Sequence, residues 1–399
     1  MLQIEDAVKL LQEQVKPVTQ IQEVSLLDGI GRVLAEEERA AADQPPFPRS
    51  PLDGYAVRGE DTLGAGKESP VCLRVVGKIY AGEVFSGMVK EGEAVRIMTG
   101  APIPSGADTV IRQEDSDQGE ELVQIYRESR PYENYCYQGE DYRAGTVLLE
   151  SGTVLKGCEA ALAASLGLDR VKVYQKPRIA VVSTGDELIE PGQALMPGKI
   201  YDSNRYYIAG RLMEMGISPI CSCHCGDEPE EMAEKLCSLS TSADFVITTG
   251  GVSVGEKDIM HEVVRLLGAK QLFWRVDVKP GAPTLAAVFQ GMLILCLSGN
   301  PFAAAANFEL LARPVMEKLT RDSRWRLKKQ KVILENDYRK PAGARRFIRG
   351  YAENGRARIA LGNQASGTLS ALCGCNCLIE IERERPGARA GDKVWAYFL

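Results

Sequence analysis

Apolar residues at Ile4, Ala7, Val8, Leu11 and Val15 fall along one face at helical spacing, predicting an amphipathic helix over residues 3–16. Next comes AADQPPFPRSPLDGYAVRGED, whose four prolines within residues 45–51 cannot sit inside a helix and mark a boundary or a rigid functional loop. Short β-branched runs cut by glycine extend from residue 71 to about residue 153 (VCLRVVGKIYAGE, GEAVRIMTG, ADTVIRQED, ELVQIYRE), the pattern of a small β-rich domain. CEAALAASLGL, residues 158–168, returns to helical patterning and reads as the completion of the piece begun at residue 3. The expected arrangement is a β-rich domain, 44–151, inserted into a helical and linker domain made of 1–43 and 152–176.

From residue 177 the pattern changes. RIAVVSTGDE, ISPICSCHCGDEP, DFVITTGG and MLILCLSGNP are apolar runs of strand length that each end in glycine or polar residues. Helical patterns separate or follow them: SNRYYIAGRLMEMG, opened by Ser203, then PEEMAEKLCSL, IMHEVVRLLGA and the long FAAAANFELLARPVMEKL. Strand–loop–helix alternation of this kind predicts a doubly wound α/β domain over 177–326 with a mainly parallel sheet. The last stretch, 327–399, reverts to strand patterns (KKQKVILEN, RRFIRGYAE, RARIAL, CLIEIERE, DKVWAYFL) and predicts a small β barrel or sandwich.

Composition narrows the function classes. The 399 residues exceed what one core usually holds, in keeping with several domains. A net charge of −6 argues against a nucleic-acid-binding protein. No apolar run approaches the roughly 20 residues of a membrane span. The start, MLQIEDAVKLLQEQV, has early acids rather than a basic block before an apolar one, so it does not read as a signal peptide, and a cytoplasmic protein is expected. With two histidines, His224 and His261, a hydrolase built on a serine or cysteine with a histidine base has little support. Six of the eleven cysteines fall in CSCHC (221–225) and CGCNC (373–377), an alternation that would put each trio on one face of a strand. Metal sites favour CxxC spacing, so reduced and mostly buried thiols are the leading reading and a metal or redox role the lesser one.

In an open α/β sheet, ligands bind beyond the carboxyl ends of the strands. The residues there are Thr184-Gly185-Asp186-Glu187, Gly226-Asp227, the TTGGVSVGEKD stretch ending at Asp258, and Ser298-Gly299-Asn300-Pro301. Four turns on one edge would gather Asp186, Glu187, Asp227 and Asp258. Like carboxylates cluster when a cation neutralises them, and Mg²⁺ with phosphate is the usual solution, with Asp186, Glu187 and Asp258 as the candidate metal ligands. Backbone at Gly185, Gly250, Gly251, Ser253, Gly299 and Asn300 is the candidate for holding phosphate or a related oxyanion, and Lys279 in VKPGAP for its positive partner. Structural alternatives stand beside this. Asp227 with Glu230 fits a helix cap and capping box, Asp258 could cap IMHEVV, and TGDE could be a tight turn with solvated acids. Neither GxGxxG nor GxxxxGK[ST] occurs, so dinucleotide and P-loop readings lose their main support.

PPFPRSPLDGYAVRGED, VRIMTGAPIPSGADTVIRQED, GEDYRAG, VVSTGDEL, IYDSN, ITTGGVSVGEKD, FWRVDVKPG and SGNP, in this order, resemble the molybdopterin molybdenumtransferase family, including gephyrin-like E domains, over essentially the whole chain. The resemblance implies the molybdopterin-binding α/β fold with a C-terminal β barrel, and an elongated four-domain homodimer whose active cleft is shared between subunits. It also implies joining of molybdate to the dithiolene of adenylylated molybdopterin with release of AMP, Mg²⁺ as cofactor, and other molybdenum cofactor biosynthesis proteins as further partners. Carried over by position, it gives catalytic roles to Asp53 in LDGYA, Thr99 in RIMTGAP, Glu187, Asp227, Asp258 and Lys279, and binding roles to Pro301 in GNP and Ser366 in NQASG.

The chain departs from the family pattern near the expected oxyanion. Ala282 replaces the second lysine of KPGKP, Ser298 a proline and Ala303 a hydroxyl residue, while Arg49, Pro51 and Leu52 alter the NSAMDGYA motif. Ala344 stands where the arginine near GxxF is expected, leaving Arg345, Arg346 or Arg275 to compensate. Two alternatives follow from these departures: a divergent relative that binds the pterin nucleotide as carrier or scaffold, and a variant that uses tungstate.

Overall fold

A computed structural model describes residues 1–253, 258–340, 343–362 and 364–399; Gly255, Glu256 and Lys257, part of the motif read above, lie outside them. The chain divides into two compact units, one of residues 1–35, 152–157 and 170–399, the other of 36–151 and 158–169.

The second unit is the β-rich one. In a five-stranded sheet Gly54–Val57 lies between Glu93–Ile97, the central strand, and the edge strand Thr109–Arg112, antiparallel to both. The helix Gly157–Ser165 groups mainly with this unit, where the Tyr142 hydroxyl meets Ser165 Oγ at 3.0 Å. The N-terminal helix, Ile4–Glu13, belongs elsewhere: Ile4, Ala7 and Leu11 join the main core of the larger unit. Helical spacing finds both helices but does not say which core each one covers.

The larger unit is built on a six-stranded sheet. Cys221–Cys225, Ile179–Thr184, Phe245–Thr249 and Met292–Leu297 run parallel in that order across it. Leu285–Phe289 and Lys270–Trp274 extend it antiparallel. That hairpin carries no turn signature short enough to betray it, and the sequence reading above has no strands there. Alternate residues feed opposite cores. Ile179 and Val181 pack with Ile208, Leu212 and the 301–320 helical run, whereas Ala180 and Val182 pack with Met232, Leu236, Met260 and Val263. Helices therefore cover both faces, as the continuous apolar runs require.

The long C-terminal helical run is Pro301–Asn307, a π-turn at Phe308–Ala312, and Arg313–Thr320. Pro314 has no N–H to donate back one turn, and the widened turn just before it absorbs the loss. The last domain is a closed five-stranded barrel, with Phe347, Leu378 and Tyr397 reaching into the α/β core. Among the described residues, no helix is long and apolar enough to cross a membrane.

Candidate functional site

Strand register puts the chemistry on one edge. Thr184 pairs with Cys225, Ser183 with Thr249, and Thr249 with Leu297, so all four parallel strands end together. A fifth loop reaches the same edge, because the antiparallel Leu285 pairs with Cys296 and its strand starts where the others stop. That loop, 275–284, carries Lys279. Beyond the edge lies a cleft of 1090 Å³, lined by Gly185, Glu187, Asp227, Gly250, Gly251, Ser253, Asp258, Lys279, Gly299, Asn300, Pro301 and Ser366. Every site residue inferred from the sequence is there except Asp186, Asp53 and Thr99.

The glycines have a structural use as well as an expected one. Gly250 has φ +100°, and a Cβ on it would stand 2.2 Å from the Thr184 carbonyl oxygen. Only glycine lets the loop after Phe245–Thr249 leave alongside the neighbouring strand end. The cost of any side chain there falls on the sheet first.

The carboxylates do not serve as helix caps. The Pro229–Leu239 helix is flanked by Glu228 at its N-cap and Met260–Leu266 by Ile259, neither with a side-chain capping bond, so the capping box of Asp227 with Glu230 does not form. Asp227 instead accepts from Thr184 Oγ1 at 3.0 Å and from the Asp186 N–H at 3.1 Å. The Asp186 carboxylate returns the bond, accepting from the Asp227 N–H at 3.1 Å. Asp186 thus ties two loops together beside the cleft, while Glu187 and Asp258 line it. Among the described residues no three His, Cys, Asp or Glu side chains stand close enough to hold a metal ion, so Asp186, Glu187 and Asp258 are not a preassembled triad. The hard oxygen donors of Glu187, Asp227 and Asp258 suit Mg²⁺, which usually takes one or two protein carboxylates and completes its shell with water and phosphate.

Several residues that sequence reasoning passed over hold these loops in place. His224 Nε2 bonds to the Gly185 carbonyl at 2.9 Å. The buried Asn307 donates to the Gly281 carbonyl at 2.7 Å and to Thr284 Oγ1 at 2.6 Å, clamping the KPG loop. The buried Arg349 guanidinium lies 4.0 Å from the Phe302 ring centroid and donates to the Ala365 carbonyl at 2.9 Å. The Phe302 N–H donates to the Ser366 carbonyl at 2.9 Å, which joins the barrel loop to the Asn300–Pro301 turn. A lone Asn in AAAANF and a lone Arg in a strand were the available signals, and neither says what it will bond.

Asp53 and Thr99 belong to the β-rich unit, where the structure brings them together. Asp53 Oδ1 accepts from the Thr99 N–H at 2.8 Å and from its hydroxyl at 2.7 Å. These bonds, the backbone one foremost, hold the Asp53 carboxyl below its ordinary value. A depressed pKa means the pair's contribution is present above the ordinary carboxylate range and is lost as pH falls through the lowered value. Thr99→Ala is expected to raise the Asp53 pKa part of the way back, read by carboxyl-carbon NMR titration; an unchanged titration would mean the backbone N–H alone sets it.

The cysteine clusters part company. Cys221, Cys223 and Cys225 do alternate along one strand, with Cys221 and Cys223 Sγ 3.5 Å apart. In the second cluster only Cys377 is in a strand, while Cys373 and Cys375 follow a short 3₁₀ turn, so the expected one-faced trio does not exist. All eleven are free thiols, and burial pushes Cys296 and Cys377 up to about 12.

A doubly wound sheet whose turns, carboxylates and lysine meet in one cleft under a β barrel defines an anion- or nucleotide-handling α/β protein. Comparison with known proteins makes this specific. Three family profiles match in chain order: the MoeA N-terminal region (domain I and II) over residues 2–167, a probable molybdopterin binding domain over 180–318, and the MoeA C-terminal region (domain IV) over 331–399. The molybdopterin molybdenumtransferase of Staphylococcus epidermidis is 35% identical over 396 residues, covering 98% of this chain and 94% of that protein. That of Haemophilus influenzae is 35% identical over 400 residues, covering 99% and 98%. The crystal structure of the molybdopterin biosynthesis MoeA protein from Pyrococcus horikoshii OT3 superposes over 100% of both chains with a TM-score of 0.83 at 31% identity. The chain belongs to the molybdopterin molybdenumtransferase family.

Proposed function

We propose that this protein is a molybdopterin molybdenumtransferase, joining molybdate to the dithiolene of adenylylated molybdopterin with release of AMP. The observation that carries the reading is the single cleft in which strand-end glycine turns, three carboxylates and Lys279 meet. Backbone at Gly185, Gly250, Gly251, Ser253, Gly299 and Asn300 would hold the nucleotide phosphates, with Pro301 and Ser366 closing the wall beside them. One or two of Glu187, Asp227 and Asp258 would hold Mg²⁺, with water and phosphate completing its shell, and the ion when bound neutralises phosphate charge. Lys279 would hold the oxyanion near the dithiolene, so that two reactants meet at high effective concentration. The working form in this reading is a homodimer, as the family resemblance implies.

Addition of molybdate to the protein loaded with adenylylated molybdopterin and Mg²⁺ is expected to release AMP, and omission of the oxyanion to leave the nucleotide intact. Firm pterin-nucleotide binding with no AMP release under either condition would overturn this reading in favour of a carrier or scaffold, the alternative that Ala282, Ser298 and Ala303 suggest. Tungstate in place of molybdate separates the two metal oxyanions.

A further inference from the structure

The family resemblance implies a second lysine where this chain has Ala282, and an arginine where it has Ala344; both alanines line the cleft. Three arginines could restore the charge, and strand register chooses among them. Lys279 forms a parallel bridge with Arg346: the Lys279 N–H donates to the Arg345 carbonyl at 2.8 Å and the Phe347 N–H donates to the Lys279 carbonyl at 2.8 Å. Paired residues in a sheet present their side chains to the same face, and the next residue along presents its own to the other. Arg346 therefore shares a face with Lys279, and both line the cleft.

Arg345, one position earlier, is turned away and occupied. It pairs with Glu380, with Glu5 at 2.7 Å, and with the Tyr397 hydroxyl at 3.0 Å. Arg275 is not part of the cleft wall; its guanidinium lies 5.3 Å from the Trp274 ring centroid. Lys340 adds a third cation to the cleft lining but takes no part in the bridge.

We propose that Arg346, side by side with Lys279, holds the tetrahedral oxyanion substrate in place of the missing lysine. This rests on the transferase reading of the same cleft and deepens it. A guanidinium offers parallel donors that match two oxygens of a tetrahedral dianion, while the Lys279 ammonium supplies a point charge beside them. The small side chains of Ala282 and Ala344 leave the arginine fork and the anion room on that wall.

Calorimetric titration of the full chain with sodium molybdate, in the absence of pterin, tests the assignment. Arg346→Ala is expected to weaken molybdate binding by about 10- to 100-fold. Binding of adenylylated molybdopterin should stay within about 3-fold, since its phosphates sit on the strand-end turns. Arg346→Lys should recover part of the loss, and Ala282→Lys placed in the Arg346→Ala protein should recover more; both also guard against a folding defect. Unchanged molybdate affinity in Arg346→Ala overturns the proposal. So does inorganic phosphate binding to the wild type as tightly as molybdate, which would make the pair a reader of nucleotide phosphate. Absence of AMP release while the molybdate ranking of the variants holds would instead overturn the transferase reading and leave this one standing.

Discussion

Asp258→Asn is expected to lower AMP release at least about 100-fold with the fold intact, because it removes a full negative charge from the cleft while keeping the side chain's size. Ile259, not Asp258, occupies the N-cap of Met260–Leu266 and makes no side-chain capping bond, which counts against the competing role of Asp258 as that helix's cap. Asp258 lines the cleft with Glu187 and Asp227. If those carboxylates position Mg²⁺ against phosphate, the asparagine protein should also need far more Mg²⁺ for half-maximal activity. The checks are turnover across an Mg²⁺ titration and the thermal midpoint of the same preparation. Activity within about 3-fold of wild type would remove Asp258 from the metal and phosphate machinery.

Glu309→Ala is expected to destabilise the larger unit by roughly 3–5 kcal/mol, the usual result of stripping one partner from a buried ion pair. Glu309 is fully buried within the π-turn. Its carboxylate accepts from Arg211 Nε at 2.7 Å and from the buried Arg313 at 3.0 Å. Arg313 also donates to the Trp325 and Phe398 carbonyls, at 2.9 and 3.0 Å, so the network ties the helical run to the barrel. Removing the carboxylate leaves two guanidinium groups facing one another with no counter-charge between them. The same helical run begins at Asn300–Pro301 on the cleft, so loss of stability and loss of nucleotide binding should go together. Urea unfolding followed by tryptophan fluorescence measures the first effect; a midpoint unchanged from wild type would mean the buried charges are better solvated than their packing indicates. Glu309→Gln, which keeps hydrogen-bond acceptance, should fall between.

Much of the architecture was legible because periodicity reports burial. The continuous apolar runs at 179–184, 245–249 and 292–297 had to be strands covered on both faces, and the polar, glycine-bearing segments beyond them had to leave from one edge once those strands ran parallel. The hairpin of Lys270–Trp274 and Leu285–Phe289 was not legible, since one strand is mostly exposed or half-buried, the other mostly buried, and a ten-residue connection separates them, so no shared period marks the pair. Asp227 shows the limit at the site. Its spacing to Glu230 is that of a capping box, yet its carboxylate bonds back to Thr184 at the end of another strand and to Asp186 in the turn that follows. Local spacing ranks local partners, and only the fold supplies the distant ones.

By itself the sequence determined the parallel strands and the helices of the α/β domain, the family, and the set of polar residues available to a cleft. Those follow from short-range periodicity and from residue identities in fixed order. Tertiary structure alone decided which of the adjacent Arg345 and Arg346 faces the cleft, and that Asn307 and Arg349 brace its loops. A shift of one residue in register exchanges the two faces of a strand, and register is set by pairing with chain that lies far away in sequence.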